Sequence, residues 1–166
     1  MKATAEYATA NIAVWWDMKD CPIPEGYEAG RVRSSLEAAF KEQGYSGPVS
    51  ITAYGNQTQT PAHILKGLLS TGVSVAHTRS ESTCHLMYED LVEWRGRNPP
   101  PATVMIISDQ VGDKFTWDLV RPSIEEAVKE LGYSGPVSIT AYGDHKHTPL
   151  QALSSSGVDI AHTVCG

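Results

Sequence analysis

NIAVWWDMKDC, Asn11 to Cys21, is an apolar run that stops at an acid. Ile12, Ala13, Val14, Trp15 and Trp16 are apolar without alternation, the pattern of a strand buried on both faces. Asp17 falls at the carboxyl end of that strand. In open α/β sheets, ligands gather outside the strand ends where the strand order reverses. An Asp there also caps the following turn. A second run of the same kind, TVMIISD (Thr103–Asp109), likewise ends in an acid. Two such strands predict one shared acidic site.

Working outward, the loop MKDCPIPEGYEAG forbids a helix until about residue 30. Val32, Leu36, Ala39 and Phe40 then recur at helical spacing, and Gly44 ends that helix. Gly47-Pro48 leads into a strand, Val49 to Tyr54. Pro61 opens a helix whose apolar side is Ile64, Leu65, Leu68 and Leu69, and Gly72 stops it. A short strand follows, Val73 to His77, and then a helix, His85 to Trp94, with Met87, Leu91 and Trp94 on one side. The fourth strand is Thr103 to Ser108. Residues 1–10 read as a loosely held lead-in. Strands alternating with helices mean a parallel sheet with right-handed crossovers.

The chain repeats itself. GYSGPVSITAYG occurs at Gly44–Gly55 and identically at Gly132–Gly143. VRSSLEAAFKEQ (from Val32) matches VRPSIEEAVKEL (from Val120), and STGVSVAHT (from Ser70) matches SSGVDIAHT (from Ser155). The strand ending at Asp109 takes the place of the strand ending at Asp17. Equivalent strands in equivalent places predict an α/β, Rossmann-like sheet of order 3-2-1-4-5-6, with the switch point between strands one and four. Asp17 and Asp109 then lie side by side, with Asp20 and Asp113 nearby. Carboxylates that close do not all stay ionised without a cation. Mg2+ or Mn2+, with oxygen ligands and retained waters, is the matching ion, and it activates water and stabilises charge on a phosphodiester. The competing reading makes these acids helix and turn caps.

The 166 residues suit one domain with a real core. Net charge is −6, which disfavours a general affinity for nucleic acid but leaves room for a metal-dependent nuclease. Arg31, Arg33, Arg79, Arg95, Arg97 and Lys114 are candidates for a local basic patch, although each taken singly reads first as part of a solvated helix face. Three cysteines without a CxxC pair imply a reduced, intracellular setting and no structural zinc. No apolar run approaches a membrane span. GDHKHTP (Gly143–Pro149) holds His145 and His147, read as an exposed polar loop; His77 and His162 end matching strands and read as half-buried. No glycine-rich turn follows the first strand, which ranks a nucleotide-binding Rossmann protein last.

WWDMKDCPIPEG, GPVSITAYG, STGVSVAHT, a helix ending in Trp94, NPPPA and VMIISD together resemble the NYN domain over about residues 11–115. The likeness is to the plant branch of the limkain-type family of meiosis regulator and mRNA stability factors. It implies a PIN-like three-layer sandwich and a metal-dependent ribonuclease, with RNA as partner and a role in regulating gene expression. By resemblance the first family acid is Asp17, and Asp20 stands where the family has Asn. A further family acid falls on Cys84, with Glu81, Glu89 and Asp90 as stand-ins. The last motif is SDQVGDKF, in which Asp109 or Asp113 serves. The expected division is an NYN-like core, 11–115, and a duplicated segment, 116–166, completing the same sheet. The family also implies a peroxisomal or cytoplasmic setting, although the terminal HTVCG carries no SKL-like address. The alternative is an inactive NYN-derived module that binds RNA or a protein partner.

Overall fold

The computed structural model describes residues 3–79 and 83–108 with their side chains, and the backbone of Thr140–Gly143 and Asp159–His162. The chain divides into two compact units, Met1–Met105 and Ile106–Gly166. The first unit runs β1 (Asn11–Asp17), a 3-10 turn (Ala29–Arg31), α1 (Val32–Glu42), β2 (Val49–Gly55), α2 (Ala62–Ser70), β3 (Ser74–His77), α3 (Thr83–Arg97) and most of β4 (Ala102–Ile107). Its sheet has the order β3-β2-β1-β4, so the predicted 3-2-1-4 arrangement holds over these strands. β1 and β2 are parallel, with Asp17 opposite Tyr54, and β2 and β3 are parallel, with Gly55 opposite His77. In the second unit, β5 (Thr140–Gly143) pairs in parallel with β6 (Asp159–His162), and Ile107 pairs with Tyr142. The expected site positions Asp109 and Asp113, with Glu81, Lys114, His145, His147 and Cys165, lie outside the described residues.

β1 is the centre of the first unit. Ile12 to Met18 are all buried, as the unbroken apolar run predicts. Removing the larger apolar side chains among them from water contributes about 1.5–3 kcal/mol each. Tyr54, Ile51, Leu68 and Val73 complete this core from β2, α2 and the start of β3. β4 is half-buried along its length rather than fully buried. In α1 only Phe40 is buried; Ala39, assigned to the apolar face, is exposed.

The helix ends follow from the sequence. At the end of α1, Gly44 has φ +90°. There the Tyr45 N–H donates to the Phe40 carbonyl (2.9 Å) and the Gly44 N–H to the Lys41 carbonyl (3.0 Å). This is a Schellman closure, and it carries the apolar contact that usually accompanies one: Phe40 and Tyr45 meet edge to face at 5.9 Å. The α2 end repeats it, with Gly72 at φ +79° and the Val73 N–H on the Leu68 carbonyl. α3 starts earlier and ends later than predicted, because Asn98 extends it by donating from Nδ2 to the Trp94 carbonyl. Asn98 also accepts from Asn11 Nδ2 (2.8 Å), tying the end of α3 to the start of β1.

Two details depart from the sequence reading. The lead-in is docked rather than loose. The Ala3 N–H donates to the Gln43 carbonyl, the Ser46 N–H to the Ala8 carbonyl, and Ala10 is buried. A Cβ added at Gly47 would stand 1.8 Å from the Ala10 carbonyl oxygen. Gly47→Ala is therefore expected to peel residues 3–10 from the sheet and cost on the order of 1–3 kcal/mol, read as a shift in urea midpoint at unchanged slope. The second departure is Arg33. It donates to Glu37 (2.7 Å) and to the Val49 (3.2 Å) and Gly72 (3.3 Å) carbonyls. It joins α1 to two strand starts and is not part of a basic patch.

Candidate functional site

The candidate site is built on the end of β1. Parallel pairing places residues 15 and 17 of β1 on the same face as Thr52 and Tyr54 of β2. α3 covers that face: Trp94 packs edge to face on Trp15 with ring centres 5.7 Å apart, and Asp90 accepts a hydrogen bond from the Tyr54 hydroxyl. The N-terminal end of α3 thereby comes to the carboxyl edge of the sheet. There Thr78 and Thr83, both buried, share a hydroxyl–hydroxyl bond of 2.9 Å.

Asp17 is 2% exposed. Its Oδ1 accepts the backbone N–H groups of Lys19 (2.9 Å) and Asp20 (3.3 Å), so the capping role weighed from the sequence is realised. The Cys21 N–H donates to the Asp17 carbonyl, and the Trp16 indole to the Cys21 carbonyl (2.7 Å). This tight turn brings Asp20 back beside Asp17. Lys19 Nζ lies 3.6 Å from Asp20 Oδ1. Burial pushes the Asp17 carboxyl above its ordinary 3.8; the two backbone donors pull it down, the Asp20 charge pushes it up, and Lys19 pulls it down again. A carboxylate whose ionisation is disfavoured by burial, with a second carboxylate three residues on, is a place where a cation relieves the electrostatic cost.

The donor chemistry suits Mg2+ or Mn2+. Both side chains offer hard oxygens, and Mg2+ is commonly held by one or two carboxylates with waters and substrate phosphates completing its shell. Among the described residues, no group of three or more His, Cys, Asp or Glu side chains is placed to hold a metal. Cys84 is half-buried at the second position of α3, and its thiol is not a hard-oxygen donor. His77, expected half-buried, is exposed, and its Nδ1 accepts the Gln57 N–H at 3.2 Å.

The sequence reading missed the Tyr54–Asp90 pair as a structural unit. Tyr54 is fully buried. Burial and the Asp90 carboxylate drive its hydroxyl far above the ordinary value, against a hydrogen bond from Trp15 that lowers it. The signal was present: a tyrosine in a wholly buried strand needs a partner for its hydroxyl, and Asp90 lies three residues after Met87 in the apolar stripe of α3. Tyr54→Phe leaves the Asp90 oxygen without this donor. It is expected to cost about 1–3 kcal/mol of stability, measured by thermal unfolding.

The family model described as NYN domain matches residues 11–123, more than half of the chain. No curated protein matches it.

Proposed function

Since the chain belongs to the NYN domain family, we propose that it is a metal-dependent endoribonuclease domain acting in RNA metabolism and the regulation of gene expression. The family's fold is the PIN-like α/β fold of nuclease type, associated with RNA processing. The observation that carries the reading is Asp17, a buried carboxylate at the end of the central strand with Asp20 turned back beside it.

Asp17 and Asp20 would hold the ion from β1 and its turn; Asp109 or Asp113, from SDQVGDKF, is the further acid that the sequence offers. The ion, when bound, supplies water activation and charge stabilisation on the phosphodiester. Asp17 contributes a fixed anionic oxygen at the strand end, held by the Lys19 and Asp20 backbone N–H groups. Lys19, with its side chain half-exposed beside Asp20, is placed to meet a phosphate oxygen.

A second reading, a module that binds RNA or a protein partner without cutting, draws on Cys84, which stands where the resemblance to limkain-type proteins expects an acid. We assign the identical twelve-residue segments to an internal duplication within that type of NYN protein; the plant branch and a peroxisomal or cytoplasmic setting belong to this assignment. No helix among the described residues is long and apolar enough to cross a membrane.

Cleavage of a labelled single-stranded RNA in Mn2+ or Mg2+, abolished by chelation and restored by added metal, is the expected result. RNA retained on the protein but uncut in either metal would favour the binding module.

A further inference from the structure

We propose that the cavity between the β1 turn and the start of α2 is a subsite for one unpaired ribonucleotide, seated next to Asp17; this rests on the reading of that edge as an RNA-processing site. The cavity holds about 260 Å3, just below the ~300–1,000 Å3 typical of small-ligand pockets. That is room for a single ring system with its sugar. Met18 and Lys19, the two residues after Asp17, form one wall, and Ile23, Pro61 and Ile64 form apolar walls. Gly55 opens its floor: a Cβ there would meet the Met18 methyl at 2.9 Å.

One amide is free to read a base edge. Gln59 lines the cavity and is exposed, so its amide is accessible and offers both a donor and an acceptor. Thr60, Thr78 and Thr83 also line it from three different segments; the Thr60 hydroxyl donates to the Asn56 carbonyl (2.9 Å) and those of Thr78 and Thr83 are bonded to each other (2.9 Å), so they hold the wall in shape and Gln59 is left as the group that meets a base edge. Asn56 is spent on its own loop, its Oδ1 accepting the Thr58 N–H (3.0 Å) and hydroxyl (2.6 Å), which fixes the loop that presents Gln59. Apolar aliphatic walls with an amide at the rim fit a splayed-out base, whose faces need packing and whose edge needs hydrogen bonds. Lys19 stands at the mouth, on the side of Asp17, where the phosphate of such a nucleotide would lie.

The test uses the full chain carrying Asp17→Asn, in EDTA, so that neither metal binding nor cleavage enters the result. The four ribonucleoside 5′-monophosphates, and inorganic phosphate as control, are titrated separately while backbone amide resonances are followed. The expected result is saturable shifts at Gly55, Gln59, Thr60 and Thr78 with at least one nucleotide and not with phosphate. Gln59→Ala should weaken that nucleotide about 5-fold or more, and Gly55→Ala, which fills the floor at the cost of moving only a flexible methionine end, should weaken it as well. No shifts at millimolar nucleotide, shifts equal with phosphate, or affinity untouched by both substitutions would overturn the proposal. Nucleotide binding here together with failure to bind metal in the native chain would retain the subsite and reject the nuclease reading.

Discussion

Asp17→Asn is expected to reduce RNA cleavage at least ~100-fold, since even residues that merely orient metal ligands cost 10–100-fold when removed. The same substitution is expected to leave the metal-free fold at pH 7 as stable as the native one, or more so. Burial raises the Asp17 pKa in the folded chain, above the ~3.9 of an unfolded aspartate. The stability this group contributes is therefore fully present below the unfolded value and is lost as pH rises through the folded value. Above the unfolded value the metal-free native protein therefore pays for burying this carboxyl. Asparagine has no charge, yet keeps an Oδ1 to accept the Lys19 and Asp20 N–H groups. Urea unfolding in EDTA should show the variant's advantage at pH 7 shrinking towards pH 3. A variant clearly less stable than native at pH 7 would mean that the Asp17 charge is satisfied within the protein and needs no cation.

Trp15→Ala is expected to have the largest effect on stability, about 3–5 kcal/mol, as for other buried tryptophans truncated to alanine. Trp15 is 4% exposed and packs on Trp94. Truncation opens a cavity between β1 and α3 beside the buried Tyr54–Asp90 pair. With a chain of this size the melting temperature should fall by roughly 10 °C or more. Because α3 brings Thr83 to the sheet edge, nucleotide binding beside Asp17 should weaken in the same variant. Trp15→Phe, which retains most of the volume, should recover part of the stability. Loss under about 1 kcal/mol for Trp15→Ala would contradict the account of α3 as held by this contact.

The parts of the fold that were legible are those set by local rules. The unbroken run Ile12–Trp16 could only be a doubly covered strand, and it is. Gly44 and Gly72 ended helices because only a positive φ closes them that way. The order β3-β2-β1-β4 followed from strands alternating with helices and from the repeat. What was not legible depends on partners distant in sequence. Residues 1–10 are few and show no strand or helix periodicity, and nothing local announces that Ala8 and Ala10 dock against Ser46 and Gly47. Arg33 resembles any surface arginine until Val49 and Gly72 present their carbonyls to it. At the candidate site, Asp17 was found from its place at a strand end, whereas the cavity lined by Gln59, Thr78 and Thr83 was not, because three separate segments build it.

The central claim is that Asp17 anchors a divalent cation. Titration of the purified chain with Mn2+ by calorimetry, native and Asp17→Asn in parallel, tests it most directly. The account predicts saturable binding to the native protein, weaker at lower pH as protons compete for the carboxylate, and no measurable binding to the variant. No binding by the native chain at millimolar Mn2+, or equal binding by both proteins, would contradict it.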